Sequence, residues 1–347
     1  MITEIFLVNK DSHAELEKAA ELLKNGSLVA IPTETVYGLG ANALDKEACL
    51  NIFKAKGRPA DNPLIVHIAD PCDAEKIAYT CPLYYELADK FMPGPLTIIL
   101  PKKHIVPNEV TAGLDSVAIR CPIHPVANEL IRIAGVPVAA PSANSSGKPS
   151  PTTAAHVFDD MNGKIPLILD GGGCDVGVES TVIKITNNKI ILLRPGAVTL
   201  EMLREVCSDV SIAAAVKEEL KAGETPLSPG MKYKHYAPKA NLYLVDDGQV
   251  DFIELVKERQ KSEHCAVMCY DEEIPLLENK NLLPVGKRSD IKEQTNKLFV
   301  ILREADKLGV DTIYAHLPSD EGESLAIYNR MIRACGHRVI GGINGKG

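Results

Sequence analysis

Two short polar groups in this chain have side chains suited to chemistry: Lys56-Gly57-Arg58 and Ser142-Ala143-Asn144, each at the mouth of a predicted strand. Two fixed cations beside compact hydrogen-bonding side chains suit a polyphosphate held next to a small polar substrate. Lys56 and Arg58 also fall where a helix should end, and on their own they read equally well as cations at the negative end of its dipole. The surrounding polar residues favour a ligand. Asn62 precedes one apolar run and His67 lies within it, while Ser116 precedes another run that contains Arg120. An arginine inside Val117-Ala118-Ile119-Arg120-Cys121 is costly to bury unpaired, so it should meet an anion, either a substrate carboxylate or an internal Asp or Glu. His67 taken alone reads as a core histidine. Ser180 and Arg194 have strand-end readings, and Gly171, Gly172 and Gly173 allow close approach of a ligand or simply a tight loop.

The elements that must position these residues alternate between helix and strand. An amphipathic helix is expected from about Ala14 to Lys24, stopped at Asn25-Gly26, and a buried strand over Ser27–Ile31 follows. Thr33 to Gly40 reads as a loop rich in hydroxyls and glycines. Asp45 should cap a helix through Lys56, with Gly57 as its stop. Further strands are expected at Leu64–Ile68, Leu96–Leu100, Val117–Cys121, Val136–Ala140, Leu167–Leu169, Thr181–Ile185 and Ile190–Leu193. Several are adjacent without an intervening helix, so a twisted, open, mixed sheet is expected rather than a pure βαβ array. The Gly- and Pro-rich stretch Lys221–Pro238 reads as a linker, and the later pattern as a small Rossmann-like α/β domain. The expected division is a larger α/β domain over 1–210, a linker over 211–239 and the small domain over 240–347.

Several function classes lose support. Gly147-Lys148-Pro149 lacks the first glycine of a P-loop and carries proline where Ser or Thr is needed. There is no G-x-G-x-x-G after a strand, no G-x-S-x-G elbow and no H-E-x-x-H. The nine cysteines are scattered without a C-x-x-C pair and read as reduced, mostly buried thiols. The net charge of −8 is spread along the chain, which does not support a basic face for tight nucleic-acid binding. No apolar run approaches the roughly 18 residues of a membrane span. Met1-Ile2-Thr3-Glu4 lacks the basic region of a signal peptide, so no membrane and a cytoplasmic location are expected.

Longer motifs carry a resemblance. Pro32-Thr33-Glu34-Thr35-Val36-Tyr37-Gly38-Leu39, Lys56-Gly57-Arg58-Pro59 with Asn62-Pro63-Leu64, Pro93-Gly94-Pro95, Ala118-Ile119-Arg120, Pro141-Ser142-Ala143-Asn144 with Ser146-Gly147, and Leu193-Arg194-Pro195-Gly196 closely resemble the YrdC-like threonylcarbamoyl-AMP synthases. Ser228-Pro229-Gly230-Met231 and His235-Tyr236-Ala237-Pro238 resemble the linker of the two-domain form. The resemblance spans nearly the whole chain. It implies a YrdC-like catalytic domain that makes L-threonylcarbamoyladenylate from L-threonine, bicarbonate and ATP and releases pyrophosphate. The product would feed threonylcarbamoyladenosine formation beside the anticodon of tRNA, through a separate downstream threonylcarbamoyl transferase.

By position in those motifs, Thr35, His67, Arg120, Ala140 and Ser180 would surround L-threonine. Lys56, Arg58, Asn62, Ser116, Ser142, Asn144, Ser150 and Arg194 would hold ATP, with Lys56 and Arg58 stabilising charge as pyrophosphate leaves. Tyr236, with Tyr233 and His235, would make the linker a lid. Magnesium would arrive bound to ATP, with no protein side chain as its ligand. Two other readings stand beside this one: carbamoyl transfer from carbamoyl phosphate, as in related domains of hydrogenase-maturation proteins, and a double-stranded RNA-binding module. A weak tRNA or double-stranded RNA contact is left open.

Overall fold

The computed structural model describes residues 1–218, 236–277 and 281–341; Ser228 to His235, including Tyr233 and His235 of the expected lid, lie outside them. The chain divides into two compact units, Met1–Ser146 with Ser150–Lys232, and Gly147–Pro149 with Tyr233–Gly347.

In the first unit, eleven strands among the described residues form one mixed sheet. They are β1 (Glu4–Leu7), β2 (Val29–Ile31), β3 (Gly38–Asn42), β4 (Ile65–His67), β5 (Leu96–Pro101), β6 (Ser116–Arg120), β7 (Val138–Ala139), β8 (Leu167–Asp170), β9 (Thr181–Thr186), β10 (Lys189–Arg194) and β11 (Val210–Ile212). Their spatial order is β1-β8-β2-β3-β7-β4-β6-β5-β9-β10-β11. β4 runs parallel to β6, β5 antiparallel to β6 and parallel to β9, and β9 antiparallel to β10. The mixed sheet expected from adjacent strand signals is thus observed.

One expectation needs correcting. The segment expected as a loop from Thr33 to Gly40 turns into strand at Gly38, and β3 lies between β2 and β7. Its glycines disguise it and also make it fit: a Cβ on Gly40 would lie 3.0 Å from Val138 Cγ1 and 3.2 Å from the Val29 carbonyl oxygen. A side chain there would crowd both neighbouring strands, so glycine suits the close approach.

The helices fix the sheet's polar ends. The helix Lys46–Lys56 starts at Asp45, whose carboxylate accepts from the N–H groups of Glu47 and Ala48, and ends at Gly57 in the left-handed region at φ 64°. That stop sets Lys56 and Arg58 on either side of the turn. Beneath β2, β7 and β8, helices His13–Lys24 and Pro125–Ala134 bury Leu16, Leu23, Leu130 and Ile131 against Val29, Ile31, Val138 and Leu167. Interdigitated aliphatic packing of this kind gives the site a rigid floor.

The second unit has five described strands, β12 (Asn241–Val245), β13 (Cys265–Cys269), β14 (Leu282–Pro284), β15 (Thr312–His316) and β16 (Val339–Ile340). All pair in parallel, in the order β14-β13-β15-β12-β16. Helices Phe252–Arg259, Ile291–Leu308 and Leu325–Ala334 provide crossovers, as a parallel sheet requires. Cys265 and Cys269 are buried within β13, among apolar neighbours such as Val245 and Val256. No described helix is long and apolar enough to cross a membrane.

Candidate active site

Arg120 ends β6 and is 4 % exposed. Its Nη1 donates to Thr35 Oγ1 at 2.8 Å, its Nη2 to Glu34 Oε1 at 2.6 Å, and its Nε to the Gly94 carbonyl at 3.3 Å. The internal carboxylate weighed in the sequence therefore exists, and it is Glu34. Both members of this ion pair are about 95 % buried, where losing one partner is far more costly than at a surface.

Thr35 is held in a directed chain. Thr33 Oγ1 gives its single hydrogen to the Val36 carbonyl at 2.6 Å, so the 2.9 Å contact between the two threonine hydroxyls has Thr35 as donor. The lone pairs of Thr35 Oγ1 then face Arg120. The two threonines and Glu34 thus turn a short loop between β2 and β3 into a fixed polar wall.

His67 stands next to Arg120 on the parallel neighbour β4, and Thr97 stands opposite Arg120 on β5. Burial, and then the charge of Arg120, push the His67 imidazole from 6.5 down to about 3, so it is neutral at physiological pH. Its Nδ1 lies 3.2 Å from the Ile65 carbonyl. Thr97 and Ser180 hydroxyls meet at 2.7 Å, and Arg194 holds Ser180 from behind, with Nε on its carbonyl at 3.0 Å and Nη2 on Oγ at 3.2 Å. The backbone N–H of Ala140 donates to the Ile65 carbonyl, two residues from His67. Thr35, His67, Arg120, Ala140 and Ser180, dispersed in the sequence, are therefore joined through β4, β5, β6 and the strands beside them.

A second group forms around the helix end at Lys56. The lysine is 4 % exposed, and its Nζ donates to the carbonyls of Ser142 at 2.5 Å and Asn144 at 2.6 Å. Ser142 Oγ donates to Asn144 Oδ1 at 2.6 Å. The ammonium is thus aimed across the structure at the Ser142-Ala143-Asn144 loop, which goes beyond what a helix-dipole role requires. β3 fixes the height of that loop: Gly38 bridges to Ser142, and the Ala143 N–H donates to the Tyr37 carbonyl.

Arg58 Nη2 donates to the Asn62 carbonyl at 3.3 Å. Asn62 is fully buried, yet neither its Oδ1 nor its Nδ2 has a hydrogen-bond partner among the described residues. A buried, unsatisfied amide costs about 1–3 kcal/mol, and a polar group kept at that cost is a candidate for ligand contact. The parallel register of Ile65 with Ala118 sets Ser116 level with Pro63, beside Asn62. Ser116 and Arg120 are four residues apart on β6, or roughly 13 Å at strand rise. One end of β4 and β6 thus carries the amide and hydroxyl group, and the other carries the ion pair. Ser150 Oγ donates to Glu179 Oε1 at 2.5 Å, next to Ser180. Tyr236 lies in the second unit, where it stacks on Phe299 at 5.1 Å with φ of 64°.

Glu34, Thr97 and Glu179 were not singled out from the sequence. Glu34 and Glu179 flank residues that were, and Thr97 is a hydroxyl inside an apolar strand, the same kind of signal that marked Arg120.

Residues 21–196 match the Sua5–YciO–YrdC family model, described as telomere recombination, and residues 198–336 match the threonylcarbamoyl-AMP synthase C-terminal domain. The chain belongs to the two-domain threonylcarbamoyl-AMP synthase family. The threonylcarbamoyl-AMP synthase of Pyrococcus abyssi is 46 % identical over 93 % of this chain and 94 % of its own length. That of Bacillus subtilis is 44 % identical over 94 % of each. The crystal structure of P. abyssi Sua5 complexed with L-threonine matches with a TM-score of 0.87 at 44 % identity and covers 98 % of both chains. Family membership therefore extends through both units, and the motifs in the first unit are those that line its paired polar groups.

Proposed function

We propose that this chain condenses L-threonine, bicarbonate and ATP into L-threonylcarbamoyladenylate with release of pyrophosphate, a nucleotidyl transfer that serves threonylcarbamoyladenosine formation in tRNA. The convergence of Thr35, His67, Arg120, Ala140 and Ser180 carries this reading. It supplies a cation for a carboxylate and hydroxyls for a small polar side chain.

The threonine nitrogen must join the bicarbonate carbon, and the resulting carbamate oxygen must then attack the α-phosphorus in line with departing pyrophosphate. Both steps unite reactants that meet rarely in water, and positioning can supply up to about 7–11 kcal/mol. Lys56 and Arg58 would oppose the charge that builds on the phosphates. Asn62, Ser116, Ser142, Asn144, Ser150 and Arg194 would orient the nucleotide. The unpartnered Asn62 amide fits that role, since its NH2 group can donate and its oxygen can accept. Magnesium would enter on the phosphates and neutralise part of their charge. Excluding water matters for these steps, because carbamates and mixed anhydrides hydrolyse readily. The labile product would pass to a downstream threonylcarbamoyl transferase.

The test is pyrophosphate release by purified protein with ATP, magnesium and bicarbonate, with and without threonine, followed by mass spectrometry of the adenylate. Threonine-dependent pyrophosphate and a threonylcarbamoyl-AMP mass are expected, and chelation of magnesium should stop both. No pyrophosphate under either condition would turn the reading towards carbamoyl phosphate chemistry.

A further inference from the structure

Glu34 has a part in this site that its ion pair leaves unused. Its Oε1 is taken by Arg120 at 2.6 Å, but its Oε2 is buried and has no hydrogen-bond partner among the described residues. A carboxylate oxygen in that state forgoes several hydrogen bonds that water would offer, so the fold retains it at a cost. Thr35, the next residue, turns its hydroxyl to the same guanidinium.

We propose that Glu34 Oε2 receives the α-ammonium group of the amino-acid substrate and takes a proton from it. The inference rests on the synthase reading above and deepens it. A zwitterionic α-amino acid has its two charges separated by one carbon. Arg120 and Glu34 offer the opposite charges side by side, so one substrate satisfies both: its carboxylate meets Arg120 and its ammonium meets Oε2.

The same placement supplies a base. The ammonium gives one proton to Glu34, which leaves the nitrogen a lone pair. The nitrogen then bonds to the bicarbonate carbon while the bond from that carbon to its hydroxyl oxygen breaks. The departing hydroxide takes a second proton from the nitrogen and leaves as water. Ammonium plus bicarbonate thus become carbamate, water and one proton, and the proton resides on Glu34.

Calorimetric titration of the full chain tests this, comparing L-threonine with 3-hydroxybutanoate, which keeps the carboxylate and hydroxyl but lacks the amine. Wild-type protein should prefer threonine. Glu34→Gln, which keeps the volume and an oxygen for Arg120, should lose at least tenfold in threonine affinity and leave the analogue within about threefold. Glu34→Asp, which keeps the charge and guards against a folding defect in the neutral variant, should retain the preference for threonine. If Glu34→Gln weakens both ligands alike, Glu34 merely supports Arg120 and the proposal falls. Equal threonine binding by wild type and Glu34→Gln overturns it too, with the synthase reading intact. A wild-type chain that ignores threonine overturns both.

Discussion

Lys56 Nζ donates to the carbonyl oxygen of Asn144 at 2.6 Å, a contact between residues 88 apart in sequence. The two polar motifs, Lys56-Gly57-Arg58 and Ser142-Ala143-Asn144, thus form one structure, with the cation of one held by the backbone of the other. A buried lysine fixed by two carbonyls keeps its direction, and a preorganised charge is worth more to a transition state than a mobile one.

Lys56→Met keeps the aliphatic stem and removes that charge. Threonine-dependent pyrophosphate release should fall about a hundred- to a thousandfold, the range seen when one preorganised charge-stabilising donor is lost. Threonine affinity measured by calorimetry without ATP should change little. A variant that keeps wild-type turnover would remove Lys56 from the reaction.

The Glu34–Arg120 pair predicts a coupling in stability. Arg120→Met alone leaves a buried carboxylate uncompensated and should cost about 3–5 kcal/mol in urea unfolding. Glu34→Leu combined with Arg120→Met should cost clearly less than the sum of the two single changes, since no charge is then stranded. Strict additivity would show that the two side chains do not act as a pair in solution.

His67 sets a pH dependence. Its folded-state pKa, about 3, lies below the ordinary 6.5, so the unfolded chain binds the proton first as pH falls. The contribution of His67 to stability is therefore fully present above pH 6.5 and is lost progressively between 6.5 and 3. Urea unfolding should show wild type losing more stability between pH 7.5 and 4.5 than His67→Gln does. Equal losses would mean that His67 is not held neutral by its surroundings.

Gly196 packs against the segment that presents Ser180. A Cβ there would lie 2.5 Å from the Thr181 nitrogen and 2.8 Å from the Glu179 carbonyl oxygen, both backbone atoms. Gly196→Ala should therefore push Glu179–Thr181 aside, destabilise by about 1–3 kcal/mol and raise the threonine KM more than it lowers kcat. An unchanged KM alongside reduced stability would place Ser180 away from the substrate.

The sequence alone determined the local elements and the kinds of residue available for chemistry. The cap at Asp45, the stop at Gly57 and the apolar runs of β5 and β6 are written in short-range patterns, because capping and strand burial depend on near neighbours. Arg120 also announced that it would need an anion, since burying a lone charge is costly anywhere. What met it was decided only by tertiary structure. Glu34 lies 86 residues away, in a segment whose hydroxyls and glycines read as a loop, and nothing local selects it over a substrate carboxylate. β3 escaped notice for a related reason: strand propensity reflects side chains that pack, and at Gly38 and Gly40 the fit comes from their absence. The row of His67, Arg120 and Thr97 likewise depends on the register between strands, which long-range pairing sets.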